Sequence, residues 1–227
     1  YERACQIGNF FKSQKPRSKI LILDSNPDVQ SKKNFFTSAW TDLYKKQIEY
    51  IPNMEINEVD LSRKTLISQF GDKIKGDVLN VIPPNRAGII ARNAGLITTN
   101  DKWCDVDWVT LESKKYKNVH VLGDATLSTE KMPKSAHMAN QHGKVAASAI
   151  VDFFNGKTPK ASKMINTCYS FIDSSSAIHI AQVYEYNNNL KTLMPNKLAG
   201  GLSSNPSKIE GKHAISWALS IWADTLQ

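Results

Sequence analysis

The chain is poor in cysteine, with three in 227 residues. Cys5, Cys104 and Cys168 form an odd, widely spaced set. That excludes a disulfide scaffold and leaves room for one redox-active thiol whose partner lies elsewhere. No apolar run approaches the roughly 18–20 residues of a membrane span. Nor is there a basic block. The net charge is +8, but the lysines are scattered, as in Lys32-Lys33, Lys45-Lys46 and Lys114-Lys115. Nucleic-acid binding asks for clustered Lys and Arg with interleaved aromatics, so that reading is set aside. A preference for an acidic partner or an anionic substrate is compatible with the charge. The five histidines are dispersed. His137 and His142 stand five apart, whereas two metal ligands on one helix face stand four apart, so no metal site is expected. Haem-attachment CxxCH, P-loop, Ser-His-Asp and GxGxxG patterns are also missing. Neither an initiator methionine nor a signal peptide is present, so the chain reads as a piece of a longer protein and its location is not legible.

What is there is a globular composition, 41% hydrophobic, with length enough for one or two cores. Residues 1–14 read as a helix with Ala4, Ile7, Phe10 and Phe11 on one face. Residues 19–23 are a short apolar run between turn residues, a buried parallel strand tipped by Asp24. Asp28 is placed to cap a helix over 29–47 carrying Phe35, Phe36, Trp40, Leu43 and Tyr44. Short strands are expected at 48–51, 54–60 and 65–70. Another buried strand is expected at 77–82, ended by Pro83-Pro84. A helix over 86–94 closes at Gly95. The order is that of a Rossmann-like domain whose first strand is missing. Strands within 96–118 lead to a strand at 119–123 and a helix at 134–154. Gly156 to Pro159 form a linker. Beyond residue 163 a hairpin, 164–172 with 177–186, precedes a loop at 200–206 and a closing helix over 208–225.

The richest stretch is 119–151. An apolar run, Val119 to Leu122, ends in Gly123-Asp124. A short loop then leads to Met132-Pro133-Lys134-Ser135, which opens a long helix of small residues. Gly123 lets the backbone approach a ligand closely. Asp124 can accept a hydrogen bond from a sugar or ribityl hydroxyl. Pro133 suits a first helical turn. The helix start offers unpaired N–H groups and a positive dipole end. A reduced flavin, negative near its pyrimidine oxygen, is favoured there. The same layout also serves as a plain strand-loop-helix unit. Pro84, in Pro83-Pro84-Asn85-Arg86, reads either as a rigid wall against a flat ring or as a strand-to-helix stop. Asp24 reads as a ribose-binding acid or a solvated turn residue. Cys168 is a small buried hydrophobe or, beside a flavin, a reactive thiol.

Taken together these words resemble the flavoprotein subunit of flavocytochrome c sulfide dehydrogenase, within a group that includes sulfide:quinone reductases. The matching segments are Tyr1-Glu2-Arg3-Ala4-Cys5-Gln6, Leu23-Asp24-Ser25-Asn26-Pro27-Asp28, Gly76 to Pro84, His120 to Ala125, Met132 to Ser135, and Asn166-Thr167-Cys168-Tyr169-Ser170. Ser216-Trp217 and Ala223-Asp224-Thr225 fit the tail. Ala136, where glycine is expected, and Asp105, where proline usually follows Trp-Cys, depart from the pattern. The resemblance implies an α/β, glutathione-reductase-like fold. It has two Rossmann-like dinucleotide-binding domains and a small α+β C-terminal domain, with the N-terminal FAD half missing here. Residues 1–95 would be the second dinucleotide-type domain, 96–160 the later part of the FAD domain, and 161–227 the C-terminal domain. Asp24 would then be a remnant of the fold. The resemblance further implies FAD as cofactor, sulfide as substrate, a c-type cytochrome subunit as partner and a periplasmic location. Cys168 would be one cysteine of a redox disulfide, its partner lying upstream of this chain. Gly123, Asp124, Met132, Pro133, Lys134, Ser135 and Pro84 would hold the flavin, with Trp217 as an aromatic wall. Two other readings are a sulfide:quinone oxidoreductase and a non-catalytic fragment that only docks a partner.

Overall fold

Apolar runs of four residues become strands only where a neighbour completes their hydrogen bonds. Ile20–Leu23 (β1) does so, pairing in parallel with Ile48–Ile51 (β2). In this computed structural model, which describes residues 1–226, the chain divides into two compact units. The first comprises Tyr1–Pro83, Tyr169–Ile178 and Ser203–Ser216. Helix α1 (Glu2–Gln14) precedes β1, and α2 (Lys33–Ser38) follows it. The last turn of α2 widens into a π-helical stretch, Ala39–Leu43, closed by the Tyr44 N–H on the Ala39 carbonyl at 3.1 Å. The predicted helix over 29–47 is therefore shorter. Asp28 accepts from the adjacent Val29 N–H and from the Lys33 ammonium, which is not a helix cap, and Lys32 takes a left-handed φ of 54°, which delays the start. The core of this unit joins Ala4, Cys5, Phe36, Trp40, Tyr44 and Ile48 with Ile172 and Ile178. The buried Tyr44 hydroxyl donates to the Ile172 carbonyl at 2.6 Å.

Strands β3 (Ile56–Asp60), β4 (Thr65–Ser68) and β5 (Lys73–Lys75) form an antiparallel sheet in that order. The strand predicted at 77–82 does not form. Val78 and Ile82 are 86% and 77% exposed. An apolar run is a strand only with a partner ladder, and Pro83 and Pro84, which carry no N–H, stop this one from extending beyond Ile82.

The second unit comprises Pro84–Cys168, His179–Leu202 and the described residues from Trp217 onward. Helix α3 (Ile89–Asn93) ends at Gly95, whose φ is +67°. The strand expected at 119–123 is reduced to isolated bridges. The Ser113 N–H donates to the Val119 carbonyl at 2.7 Å, and the Val121 N–H donates to the Leu111 carbonyl at 3.0 Å. Leu111, at φ +60°, bends the partner segment away and ends the ladder. A 3₁₀ turn, Gly123–Ala125, follows. Helix α4 (Ala136–Phe154) buries Met138, His142, Val145, Ala146 and Ala149, the i, i+4, i+7 spacing of one face. Its N-cap is Ser135, so Pro133 lies ahead of the helix and not in its first turn as the sequence suggested. Strands β6 (Met164–Phe171), β7 (Ala177–Asn187) and β8 (Thr192–Leu202) form the third sheet, in that order, with β7 and β8 antiparallel. Helix α5 (Lys208–Leu226) closes the described chain. Cys104, Val106, Trp108, Leu111, Met132, Met138, Met164, Tyr184 and Leu193 are among this unit's core residues. Among the described residues, no helix is long and apolar enough to cross a membrane.

Candidate functional site

Helix α4 gathers the chemistry of the second unit because its first turn is tied on both sides. Ser135 caps it by accepting the Met138 N–H at 3.1 Å. The same hydroxyl donates to Asn166 Oδ1 at 2.6 Å. Asn166 Nδ2 then donates to the Cys168 sulfur at 3.1 Å. Strand alternation explains the placement. Residues two apart on β6 share a face, so Met164, Asn166 and Cys168 point the same way. Met164 is fully buried and Asn166 is 3% exposed. Cys168 is half-buried, whereas Cys5 and Cys104 are fully buried. In the same first turn of α4, His137 Nδ1 accepts the Thr167 N–H at 3.0 Å. That bond leaves the ring proton on Nε2. Burial, then the charge of Lys144, holds His137 below the usual histidine range. Trp217 meets the His137 ring edge-on at 5.7 Å between centroids. Asn140 and Lys144, on the same helix, hold the Asp224 carboxylate. Ser135, Cys168 and Trp217 are thus brought together through Asn166 and His137, neither of which the sequence singles out as a site residue.

The Gly123 turn is built from a second set of bonds. The Gly123 N–H donates to His142 Nδ1 at 3.0 Å, and the Thr126 hydroxyl donates to the Gly123 carbonyl at 2.9 Å. Gly123 has φ +67°, and a Cβ built on it would meet the Ala139 Cβ at 3.2 Å. The glycine is thus accounted for by its left-handed backbone and by its packing on α4. The backbone of Cys104 brackets the loop, donating to the Ala125 carbonyl and accepting from the Leu127 N–H. Lys134 turns inward. Its ammonium donates to the carbonyls of Asp124 and Thr126, at 2.8 and 2.6 Å, and lies 3.7 Å from the Trp103 ring centre. Burial lowers its pKa, opposed by Asp124 and Cys104. The Asp124 side chain is exposed and, among the described residues, accepts no hydrogen bond. Met132 is core, Pro133 is half-buried, and Pro84 is exposed at the head of the unit. No hydrogen bond or ring contact among the described residues joins Pro84 to the other predicted residues.

His142 is the buried hub of this turn. It is 2% exposed and packs edge-on to Trp108 at 5.5 Å. Because Nδ1 accepts, its proton is on Nε2, which has no partner among the described residues. Burial, with a smaller contribution from Lys134, pushes its pKa down to about 4. The Thr129 hydroxyl and Asn140 Oδ1 are likewise buried without a partner among the described residues.

Two family models match the chain. Residues 1–83 match the central part of the sulfide dehydrogenase [flavocytochrome c] flavoprotein chain, and residues 160–226 match the flavin-binding part of flavocytochrome c sulphide dehydrogenase. Together they take in about two thirds of the sequence. The chain belongs to this flavoprotein family. As a member of it, the chain takes FAD as cofactor. The first family match ends at residue 83, where the first stretch of the first compact unit also ends.

Among solved structures, the fold of this family member is similar to that of the sulfide:quinone oxidoreductase from the hyperthermophilic bacterium Aquifex aeolicus. The match is 14% identical, with a TM-score of 0.73, over 99% of this chain and 54% of that one. It is also similar to a Cu(II) complex of a mutant of the HOCl-induced flavoprotein disulfide reductase RclA from Escherichia coli. There the identity is 12% and the TM-score 0.52, over 96% of this chain and 54% of that one. At these identities the likeness establishes the fold, an α/β arrangement of the Rossmann-like type. The chain spans about half the length of these structures.

The residues present fit the cofactor in one respect that can be checked. The ribityl chain of FAD is a row of hydroxyls, and the loop 124–129 offers the open Asp124 carboxylate and the Thr129 hydroxyl, which has no partner among the described residues. Both are groups a hydroxyl-rich ligand satisfies, and a buried polar atom left unpaired is costly.

Proposed function

We propose that the complete protein oxidises sulfide with FAD, through a disulfide that includes Cys168, and passes electrons to a c-type cytochrome subunit in the periplasm. The observation that carries this reading is the Cys168 sulfur. It sits half-buried in the segment matched to the family's flavin-binding part, and the Asn166 amide donates to it at 3.1 Å. Asp124 and the first-turn N–H groups of α4 are the residues that would bind FAD. Lys134 would hold the Asp124 loop in shape by its two carbonyl bonds and add positive charge beside it. Trp217, through its contact with His137, would form an apolar wall.

FAD supplies acceptance of an electron pair and its release as single electrons. The protein's part is sulfur chemistry. Hydrosulfide attacks a disulfide between Cys168 and a second cysteine outside this sequence. A new sulfur–sulfur bond forms on one cysteine as a persulfide, and the old bond breaks to release the other as a thiolate. Cys168 would be the thiolate on the flavin side: its sulfur bonds to the outer sulfur of the persulfide, the persulfide proton leaves, and the electron pair released by forming that bond would go to the FAD.

The test is the visible spectrum of the complete protein before and after sulfide, with Cys168→Ser alongside. Bleaching in the parent that is lost in the variant is the expected result. A yellow protein indifferent to sulfide would remove the substrate, and a colourless one would leave a docking role. A second reading, quinone as acceptor, draws on the exposed apolar row Leu219, Trp222 and Leu226 of α5, which are 60%, 60% and 78% exposed. Reoxidation by cytochrome c against a soluble quinone separates the two.

A further inference from the structure

The Cys168 sulfur is held by a side chain whose own orientation is fixed. A buried Asn has an acceptor end and a donor end, and which way it faces is decided by its neighbours. Here the neighbour is Ser135. Its oxygen already accepts the Met138 N–H, and its single proton goes to Asn166 Oδ1. The amide NH₂ is therefore turned toward Cys168. A thiol can donate or accept, whereas a thiolate or a disulfide sulfur can only accept. The arrangement thus suits the proton-free forms of sulfur.

We propose that Asn166 is a positioning residue for Cys168: its amide, locked by the Ser135 cap, donates to the sulfur and sets its direction. The proposal rests on the reading of Cys168 as the flavin-side thiol and deepens it. Two titratable groups beside β6 supply no competing cation. Both belong to the same compact unit as Cys168. His137, on α4, is kept neutral by burial and accepts from the Thr167 N–H. Tyr184, on β7, has a pKa pushed up to about 12 by burial and by the Cys168 sulfur, and its hydroxyl donates to the Lys131 carbonyl.

Substituting Asn166→Asp keeps the shape, removes the donor and adds negative charge. Substituting Ser135→Ala leaves the amide in place and unlocks it. The experiment alkylates the reduced complete flavoprotein with iodoacetamide across pH and reads the Cys168 peptide by mass spectrometry. Flavin content and rate of bleaching by sulfide are recorded on the same samples. At pH 7, Asn166→Asp is expected to slow Cys168 alkylation at least about tenfold, the scale of one lost hydrogen bond to a charged acceptor. Ser135→Ala is expected to slow it by less. Sulfide bleaching slows in parallel.

An unchanged alkylation rate in Asn166→Asp protein that retains its flavin overturns the proposal. If that variant fails to fold, an unchanged rate in Ser135→Ala overturns it instead. If alkylation slows while Cys168→Ser still bleaches with sulfide, the hold on the thiol stands and the sulfide reading falls.

Discussion

Two aspartates end two apolar runs, Leu23-Asp24 in the first unit and Gly123-Asp124 in the second, and they are opposites. Asp24 is saturated by its own chain. The hydroxyls of Tyr1 and Tyr50 donate to Oδ2 at 2.5 and 3.1 Å, and the backbone and side-chain N–H groups of Asn26 donate to Oδ1 at 2.9 and 2.8 Å. Asp124 is exposed and accepts no hydrogen bond among the described residues. The lesson is that an acid at a strand tip is not a ligand site by position alone. One has spent its acceptors on folding and the other has kept them.

Acid separates the two units most strongly. His142 has an ordinary pKa of 6.5 and a folded value of about 4. The unfolded chain therefore binds a proton that the folded chain refuses. The associated stability is fully present above pH 6.5, is lost as pH falls toward about 4, and amounts to roughly 3 kcal/mol at most. Asp24 behaves otherwise. Burial acts to raise its carboxyl, but the bonds from Tyr1, Asn26 and Tyr50 outweigh it and hold it below the usual value of 3.8. Its contribution persists above 3.8 and is lost only as pH falls through the lowered folded value. Urea unfolding of the complete protein at pH 7 and pH 5 is expected to show the loss. In His142→Asn, which keeps an acceptor for the Gly123 N–H without titrating, the pH dependence is expected to flatten. An unchanged slope would remove His142 as its source.

Exchange of roles is the next test. Asp24→Ala strands two tyrosine hydroxyls and two amide donors, so a stability loss of about 2 kcal/mol is expected with FAD affinity unchanged. Asp124→Ala should do the reverse. Stability without cofactor stays within about 0.5 kcal/mol, while FAD affinity falls about tenfold. Denaturant titration and flavin release, read on both variants, check the pair. Equal effects on either measurement would erase the distinction between the acids.

Much of this was legible because local chemistry decided it. Ile20–Leu23, Ile48–Ile51, Thr65–Ser68 and the closing helix stand where apolar patterning put them. Run 77–82 failed because apolarity does not reveal whether a partner strand is near. β8 was missed because Pro195, Asn196, Lys197, Gly200 and Gly201 hide its pairing with β7, which is set by register across the hairpin. At the site, residue type drew the eye to Cys168 and Ser135, whereas the residue joining them was hidden as an ordinary Asn. The signal existed: alternation from Met164 puts Asn166 inward, and an inward amide must have partners. His142 had no such signal, since its role depends on how α4 packs beneath the Gly123 turn.

The smallest effect sharpens the comparison at the level of single glycines. Gly71, in the turn between β4 and β5, has φ +86° and open space where a Cβ would stand. Gly123 has φ +67°, with Ala139 in the way at 3.2 Å. Alanine at either position carries the left-handed backbone cost of roughly 1–2 kcal/mol. Only at Gly123 is there a packing cost in addition, because α4 must give by a few tenths of an ångström. The difference between Gly123→Ala and Gly71→Ala in denaturant unfolding therefore isolates that contact, and it is expected to be about 1 kcal/mol or less. Flavin content should fall for Gly123→Ala and hold for Gly71→Ala, since only the former displaces the Asp124 turn. Equal stability losses with equal flavin content would mean that the Gly123 turn shifts freely on α4, and the second unit would then lack the rigid seat that the open acid requires.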